Sequence, residues 1–258
     1  MNRFVDQMGR IIHLKDTPKR IVSLVPSQTE LLFDLGLNNE VVGITKFCIH
    51  PQAWFQTKKR IGGTKNVSIS AIKELNPDLI IANKEENTLA DIQILEQIAP
   101  VWISDINSFV DAIEMIQQIG VLVNKETEAK LIAAEISDSF DESNTIAKGK
   151  TAIYFIWKQP YMCAGKETFI DAMMSKIGLK NLITVKRYPI LEVPFDLNDQ
   201  PEFVLLSSEP YPFNETHLEE MKKHFPDSTI LIVDGEFFSW YGSRMRYAKD
   251  YFKSVFIS

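Results

Sequence analysis

The residues able to do chemistry fall into four short stretches of the 258-residue chain. "PSQTE", Pro26 to Glu30, follows an apolar run and brings small polar side chains, Ser27, Gln28 and Thr29, to the start of an amphipathic segment. Backbone N–H groups and hydroxyls at such a start can hydrogen-bond a ligand; Ser27 and Glu30 also have the spacing of a helix N-cap and its capping box. "KFCIH", Lys46 to His50, sets the thiol of Cys48 two residues from the imidazole of His50. That pair is half a metal site, or a nucleophile whose pKa Lys46 and His50 would have to depress. The other histidines, His13, His217 and His224, lie far apart with no HxH or HExxH spacing, so a bare-metal site stays incomplete. Glu85-Glu86 is a carboxylate pair, but adjacent residues point apart on a strand or helix. "DGEFFSWYGSR" sets Phe237, Phe238, Ser239, Trp240 and Tyr241 ahead of Gly242. A core strand could hold such aromatics; an aromatic loop between glycine hinges better suits the wall of an apolar pocket with a few polar anchors. Phe47, Trp157 and Tyr161 would extend that wall.

Catalysis finds less support than recognition. There is no G-x-S-x-G, "IGGTKN" lacks the ending of a P-loop, and no G-x-G-x-x-G follows the first strand. Composition narrows the field further. The chain is 45% hydrophobic and 24% charged, with a net charge of −6 and no cluster of Lys and Arg beyond Lys58-Lys59-Arg60, which argues against a nucleic-acid partner. No stretch approaches the roughly 18 apolar residues that cross a membrane, and the first twenty residues have no apolar leader core. Cys48 and Cys163 follow neither a CxxC nor a zinc spacing.

The elements that must position these residues read as strand–helix alternation. Strands are expected at Ile21–Val25, Val41–Ile44, Leu79–Ile81 and Val101–Ile103, with helices at Gln28–Leu35, Ser70–Leu75, Thr88–Ile98 and Ser108–Val121. Short apolar strands between helices indicate a parallel sheet covered on both faces. A stretch without strand signal follows, with Leu131, Ile132, Ile136 and Phe140 at helical spacing. Alternation then resumes: strands Ala152–Trp157, Phe203–Ser207 and Ile230–Val233, helices Thr168–Ile177, Glu215–Lys223 and Gly242–Lys253. The expected fold is α/β: two Rossmann-like lobes with parallel sheets, 1–122 and 149–258, joined by a single long helix over 123–148. In open parallel sheets ligands bind outside the carboxyl ends of the strands, where the polar turns named above fall.

"KRIVSLVPSQTELLFDLGL", "VVGITKFCIHP", "IGGTKNVSISAIKELNPDLIIA" and "SRMRYAKDYF" together resemble the substrate-binding proteins of ABC importers for cobalamin and ferric siderophores, the helical-backbone metal-receptor family with the class III periplasmic binding protein fold. The likeness runs from about Asp6 to the C-terminus. It implies a non-enzymatic protein with a cleft between lobes for a metal chelate, a corrinoid ahead of a ferric siderophore or haem. No cofactor of its own and no directly held metal are implied. By position the ligand-facing residues are Pro26, Ser27, Thr29, Phe47, Cys48, His50, Thr64, Lys65, Trp157, Tyr161, Glu236, Phe238, Ser239 and Trp240. Ser27, Thr29, Lys65, Glu236 and Ser239 would supply hydrogen bonds, and Arg187, Tyr188 and Arg244 are candidate contacts for an anionic group.

Three departures stand out. Thr64 occupies the loop position where cobalamin binders carry tryptophan. The two glutamates with which the family docks on an ABC permease align on Ser70 and Pro194, with Glu74 and Glu192 nearby. No leader precedes the chain as given, which places it in the cytoplasm if complete and in the periplasm or at the cell surface if a leader was trimmed. Two alternatives stay open: a cytoplasmic two-lobed enzyme using Cys48 or Glu85-Glu86, and a cytoplasmic corrinoid sensor or chaperone.

Overall fold

The computed structural model describes residues 2–141, 146–195, 197 and 199–257. They form two compact units: residues up to Ile106 with Val110–Ile136 and Tyr241–Arg244, and Asn107–Phe109 with Ser137–Trp240 and the residues from Met245 onward.

The first unit opens with a hairpin, β1 (Asn2–Val5) and β2 (Ile11–Leu14). The alternation that follows is β3 (Ile21–Ser23), α1 (Pro26–Asp34), β4 (Val41–Ile44), α2 (Gln52–Thr57), β5 (Lys59–Arg60), the small ladder β6 (Gly62–Gly63) and β7 (Asn66–Val67), α3 (Ile69–Glu74), β8 (Leu79–Asn83), α4 (Leu89–Leu95), β9 (Val101–Ser104) and α5 (Phe109–Leu122). Its five-stranded sheet has the order β5-β4-β3-β8-β9, parallel throughout. The continuous apolar runs exist because both faces are covered: every residue of β3, β8 and β9 is buried. Helix α5 buries Ala112, Met115, Ile116 and Ile119, the i, i+3, i+4, i+7 stripe of an amphipathic helix. Helix α6 (Glu126–Ser139) carries the chain from the first unit, which leaves off at Ile136, into the second at Ser137. It is shorter than the expected span of 123–148, of which residues 142–145 lie outside the described residues.

The second unit contains β10 (Thr151–Trp157), β11 (Tyr161–Cys163), α7 (Phe169–Lys176), β12 (Lys180–Asn181), β13 (Ile190–Leu191), β14 (Phe203–Ser207), α8 (Glu215–His224), β15 (Thr229–Val233), α9 (Glu236–Ser239) and α10 (Met245–Phe256). β10, β14 and β15 are parallel neighbours, β12 adds a short parallel contact to β10, and β11 and β13 extend the sheet antiparallel. Ile153, Phe155, Val204 and Leu206 from the sheet meet Phe213, Met221 and Phe225 in its core.

Helix α1 begins differently from the expected capping box. Val25, in extended conformation and without a side-chain cap, precedes Pro26 in the first turn, where a missing N–H and a fixed φ suit the helix start. Ser27 therefore lies inside the helix, and Glu30 is drawn to Arg244 instead, in a two-pronged pair at 2.8 Å on each side. The other end is as expected: Gly36, at φ 80°, takes the left-handed position that closes a helix, and its amide donates to Phe33 O. "FFSWY" holds the second difference. It is only partly loop: Phe237, Phe238 and Ser239 belong to the single turn of α9, and Trp240 and Tyr241 follow it outside any helix or strand.

Candidate functional site

In the first unit the turns at the carboxyl ends of the strands are pinned from beneath by buried polar groups. After β4 the chain alternates, with Lys46 and Phe47 exposed, Cys48 buried and Ile49 exposed. Cys48 Sγ lies 3.1 Å from Thr29 Oγ1 and 3.1 Å from Thr45 Oγ1, and Thr29 Oγ1 lies 2.7 Å from Ser23 Oγ. Burial raises the pKa of the Cys48 thiol against the pull of these hydrogen bonds, so at neutral pH it is an uncharged anchor. Phe47 is 50% exposed and rests on Gly63, where an added Cβ would come within 3.2 Å of its ring. The Lys46 ammonium stands 5.0 Å from the centre of the same ring.

A second network holds the turns after β8 and β9. Gln28 Nε2 donates to Ser104 Oγ, and Asn83 Nδ2 reaches Ser104 O at 3.1 Å. Asn83 Oδ1 accepts from the amides of Glu85 and Glu86 at 2.8 and 3.1 Å, while Asn87 Nδ2 donates to Thr64 O at 2.9 Å. The Thr64–Lys65 turn is thereby tied to the Glu85–Asn87 turn. Burial raises the pKa of Glu86, opposed by the charge of Lys65.

In the second unit, Trp157 ends β10 with its side chain 39% exposed and meets Tyr211 edge-on at 5.6 Å. Tyr161 is half-buried. Its ring packs on Phe155 and Phe195, and its hydroxyl donates to Glu220 at 2.6 Å. Lys158 pairs with the same carboxylate; the hydrogen bonds from Lys158 and then Tyr161 lower the Glu220 pKa. Glu209, just beyond β14, is the polar centre of the neighbouring turn. Its Oε1 accepts from Trp240 Nε1 at 2.8 Å and lies 2.8 Å from Ser239 Oγ. Gly235 is required there, because a Cβ would stand 2.4 Å from Ser207 Oγ and 2.6 Å from Glu209 Cγ.

The expected ligand-facing residues thus divide. Phe47, Lys65 and Trp157 are exposed; Pro26, His50, Tyr161, Glu236 and Ser239 are half-buried. Ser27 and Thr64 are nearly enclosed, and Thr29 and Cys48 lie in the interior, where they support the turns. Phe238 is fully buried between Tyr154 and Phe252, at 4.9 and 4.8 Å. Trp240 is only 7% exposed. The aromatic wall expected from "FFSWY" is therefore mostly core, because α10 supplies partners for it: Phe237 stacks on Tyr251 at 4.3 Å. Arg187 is engaged by Asn107 Oδ1 at 2.7 Å and by Glu167 O at 2.6 Å.

Sequence reasoning missed Asn83, Asn87, Glu209 and Tyr211. The last two sit in "SEPYPF", a turn with two prolines directly after a buried strand, which was a usable signal. Among the described residues no group of three or more His, Cys, Asp or Glu side chains could hold a metal ion. Nor is any helix of the described residues long and apolar enough to cross a membrane.

Comparison with known proteins agrees with this architecture. The family model described as periplasmic binding protein matches residues 21–226. An uncharacterized ABC transporter substrate-binding lipoprotein of Bacillus subtilis is 30% identical over 188 residues, 68% of this chain and 59% of the relative. A cobalamin-binding protein of Halobacterium salinarum is 26% identical over 210 residues, 78% of this chain and 57% of the relative. The match thus spans less than two thirds of the length of either relative. Among solved structures, a possible iron-binding periplasmic solute-binding protein of Staphylococcus epidermidis superposes with a TM-score of 0.77 at 23% identity, covering 93% of this chain and 98% of the other; at that identity the likeness concerns the fold.

Proposed function

The chain belongs to the periplasmic binding protein family, and from that premise we propose that it is the ligand-binding component of an ABC importer for a metal chelate, with a corrinoid ahead of haem or a ferric siderophore. The observation that carries this reading is Phe47, an aromatic ring held half-exposed by a buried hydroxyl and thiol network at the carboxyl end of a parallel sheet. Such a ring serves the flat apolar face of a ligand; holding it still spends no binding energy on ordering. The second unit offers Trp157 in the corresponding position at the end of its own sheet.

Electrostatics favour a neutral or mixed-charge ligand. A siderophore with several anionic groups calls for convergent guanidinium groups, whereas Arg244 is committed to Glu30 and Arg187 to Asn107 and the Glu167 carbonyl. Lys46 and Lys65 remain at the surface for an isolated acceptor or anion. The metal would arrive inside its chelate. The Cys48 form of the enzyme alternative loses its nucleophile, since the thiol is buried and its pKa is raised. A permease is the proposed macromolecular partner: Glu74 and Glu192, both exposed, lie near the family's docking positions in sequence.

Tryptophan fluorescence tests the reading directly. Trp54, Trp102 and Trp240 are buried and Trp157 is exposed, so a bound chelate should quench saturably, and Trp157→Phe should remove much of the quenching. Titrations with cyanocobalamin, haemin and ferric siderophores, corrected for inner-filter absorption, that show no saturable quenching in the wild-type chain would sink the proposal.

A further inference from the structure

The aromatic edge of the second unit is built around a histidine to which the binding role gives no task. Helix α8 opens with a reciprocal cap: Asn214 Oδ1 accepts from the Thr216 amide at 3.1 Å, and the Asn214 amide donates to His217 Nδ1 at 3.0 Å. A ring nitrogen that accepts from a backbone N–H carries no proton, so the proton of the neutral imidazole is on Nε2. Nε2 faces the Tyr211 hydroxyl at 3.2 Å. Nε2–H therefore donates, Tyr211 Oη accepts, and the phenolic proton remains available to another acceptor. Among the described residues the Tyr211 hydroxyl makes no other hydrogen bond.

Packing fixes the same geometry. His217 is buried, with Tyr211 edge-on at 5.5 Å and Phe213 edge-on at 5.3 Å. The nearby carboxylate, Glu220, is taken by Lys158 and by the hydroxyl of Tyr161. Tyr211 in turn supports Trp157. The order of support runs from helix cap to imidazole, from imidazole to phenol, and from phenol to the exposed indole.

We propose that His217 is a positioning residue, fixed as the Nε2–H tautomer, which makes Tyr211 a hydrogen-bond donor beside Trp157. The ligand of this unit then pairs an apolar face with an oxygen acceptor at its edge, such as a carbonyl, carboxylate or phosphate oxygen. The ligand half of this inference rests on the binding role proposed above; the tautomer half stands without it.

Two measurements test it. In long-range proton–nitrogen correlation spectra of the labelled chain near neutral pH, His217 should show an unprotonated Nδ1 and a protonated Nε2. An Nδ1–H tautomer, or a rapidly exchanging mixture, overturns the positioning role. In the second, cyanocobalamin and haemin are titrated into wild type, Tyr211→Phe, His217→Gln and the double variant. Glutamine at this position still reaches back to the cap amide, so His217→Gln should keep the thermal midpoint while losing the support of Tyr211. Each single variant should bind about three- to tenfold more weakly, the scale of one uncharged hydrogen bond, and the double variant no more weakly than Tyr211→Phe. Unchanged affinity in Tyr211→Phe, or losses that multiply in the double variant, overturn the proposal. If the wild-type chain binds neither probe, the parent reading fails and the donor role of Tyr211 fails with it, while the spectra still decide the tautomer.

Discussion

Phe47 and Phe238 are the same residue type in opposite circumstances, so truncating each to alanine should separate binding from folding. A phenylalanine can bury roughly 150–250 Å². Phe47 is 50% exposed, which leaves on the order of 100 Å² for a ligand to cover. At about 25 cal/mol per Å² that area is worth at most about 2.5 kcal/mol, and at 1.4 kcal/mol per decade Phe47→Ala should weaken a chelate by up to roughly sixtyfold. Its effect on unfolding should stay below about 1 kcal/mol, since no enclosed cavity is left behind. Phe238 is fully enclosed by Tyr154 and Phe252, and Phe238→Ala should cost about 3–5 kcal/mol of stability through lost burial and the remaining void. Urea unfolding followed by circular dichroism, with fluorescence titration of cyanocobalamin and haemin on the folded variants, measures both quantities. The reasoning is refuted if Phe47→Ala destabilises the chain by several kcal/mol, or if Phe238→Ala leaves stability unchanged.

Three further outcomes follow from the geometry. Glu209→Ala removes the acceptor for Trp240 Nε1 and a partner of the Ser239 hydroxyl; about 1–3 kcal/mol of stability should be lost in urea unfolding, with a change in tryptophan emission. Burial raises the pKa of Glu86 above the ordinary carboxylate range, so the folded chain binds the extra proton and this group's contribution to stability falls as pH rises from that range through the raised value. Glu86→Gln should therefore raise the thermal midpoint at pH 7, and the gain should vanish below the ordinary carboxylate range; a gain that grows in acid would reverse the assigned sign. Cys48 is buried with a raised pKa, so iodoacetamide should label it only as fast as the chain opens. Rapid labelling under native conditions would restore the reactive-thiol alternative.

The parts of the fold that were legible in sequence are those whose signal is local. Val41–Ile44 and Phe203–Ser207 are recovered to the residue, because a buried parallel strand reads as an unbroken apolar run. The helix ends at Gly36 and Gly178 are marked by glycines at φ 80° and 90°, and Thr168 caps α7 with its side chain, accepting from the Asp171 amide. The misses depend on partners distant in sequence. Glu30 left its expected capping box for Arg244, 214 residues away, and "FFSWY" became core because Tyr251 and Phe252 wait in the last helix. Strands of two or three residues such as β5, β12 and β13 carry no period to detect. At the candidate site, the exposed aromatics Phe47 and Trp157 were visible by type and position. The polar networks of the neighbouring turns were not, since Asn83 and Asn87 act through backbone groups that no spacing encodes, and for Glu209 the sequence marks only the turn "SEPYPF", not the indole it holds.

The proposed role requires the chain to bind one metal chelate through preformed turns. Native mass spectrometry of the chain mixed with cyanocobalamin, haemin and a ferric siderophore tests it most directly. A single retained chelate per chain, with the corrinoid preferred and its share reduced in Phe47→Ala, is the result expected of the proposed role. Folded chain carrying none of the three at concentrations well above micromolar would contradict it.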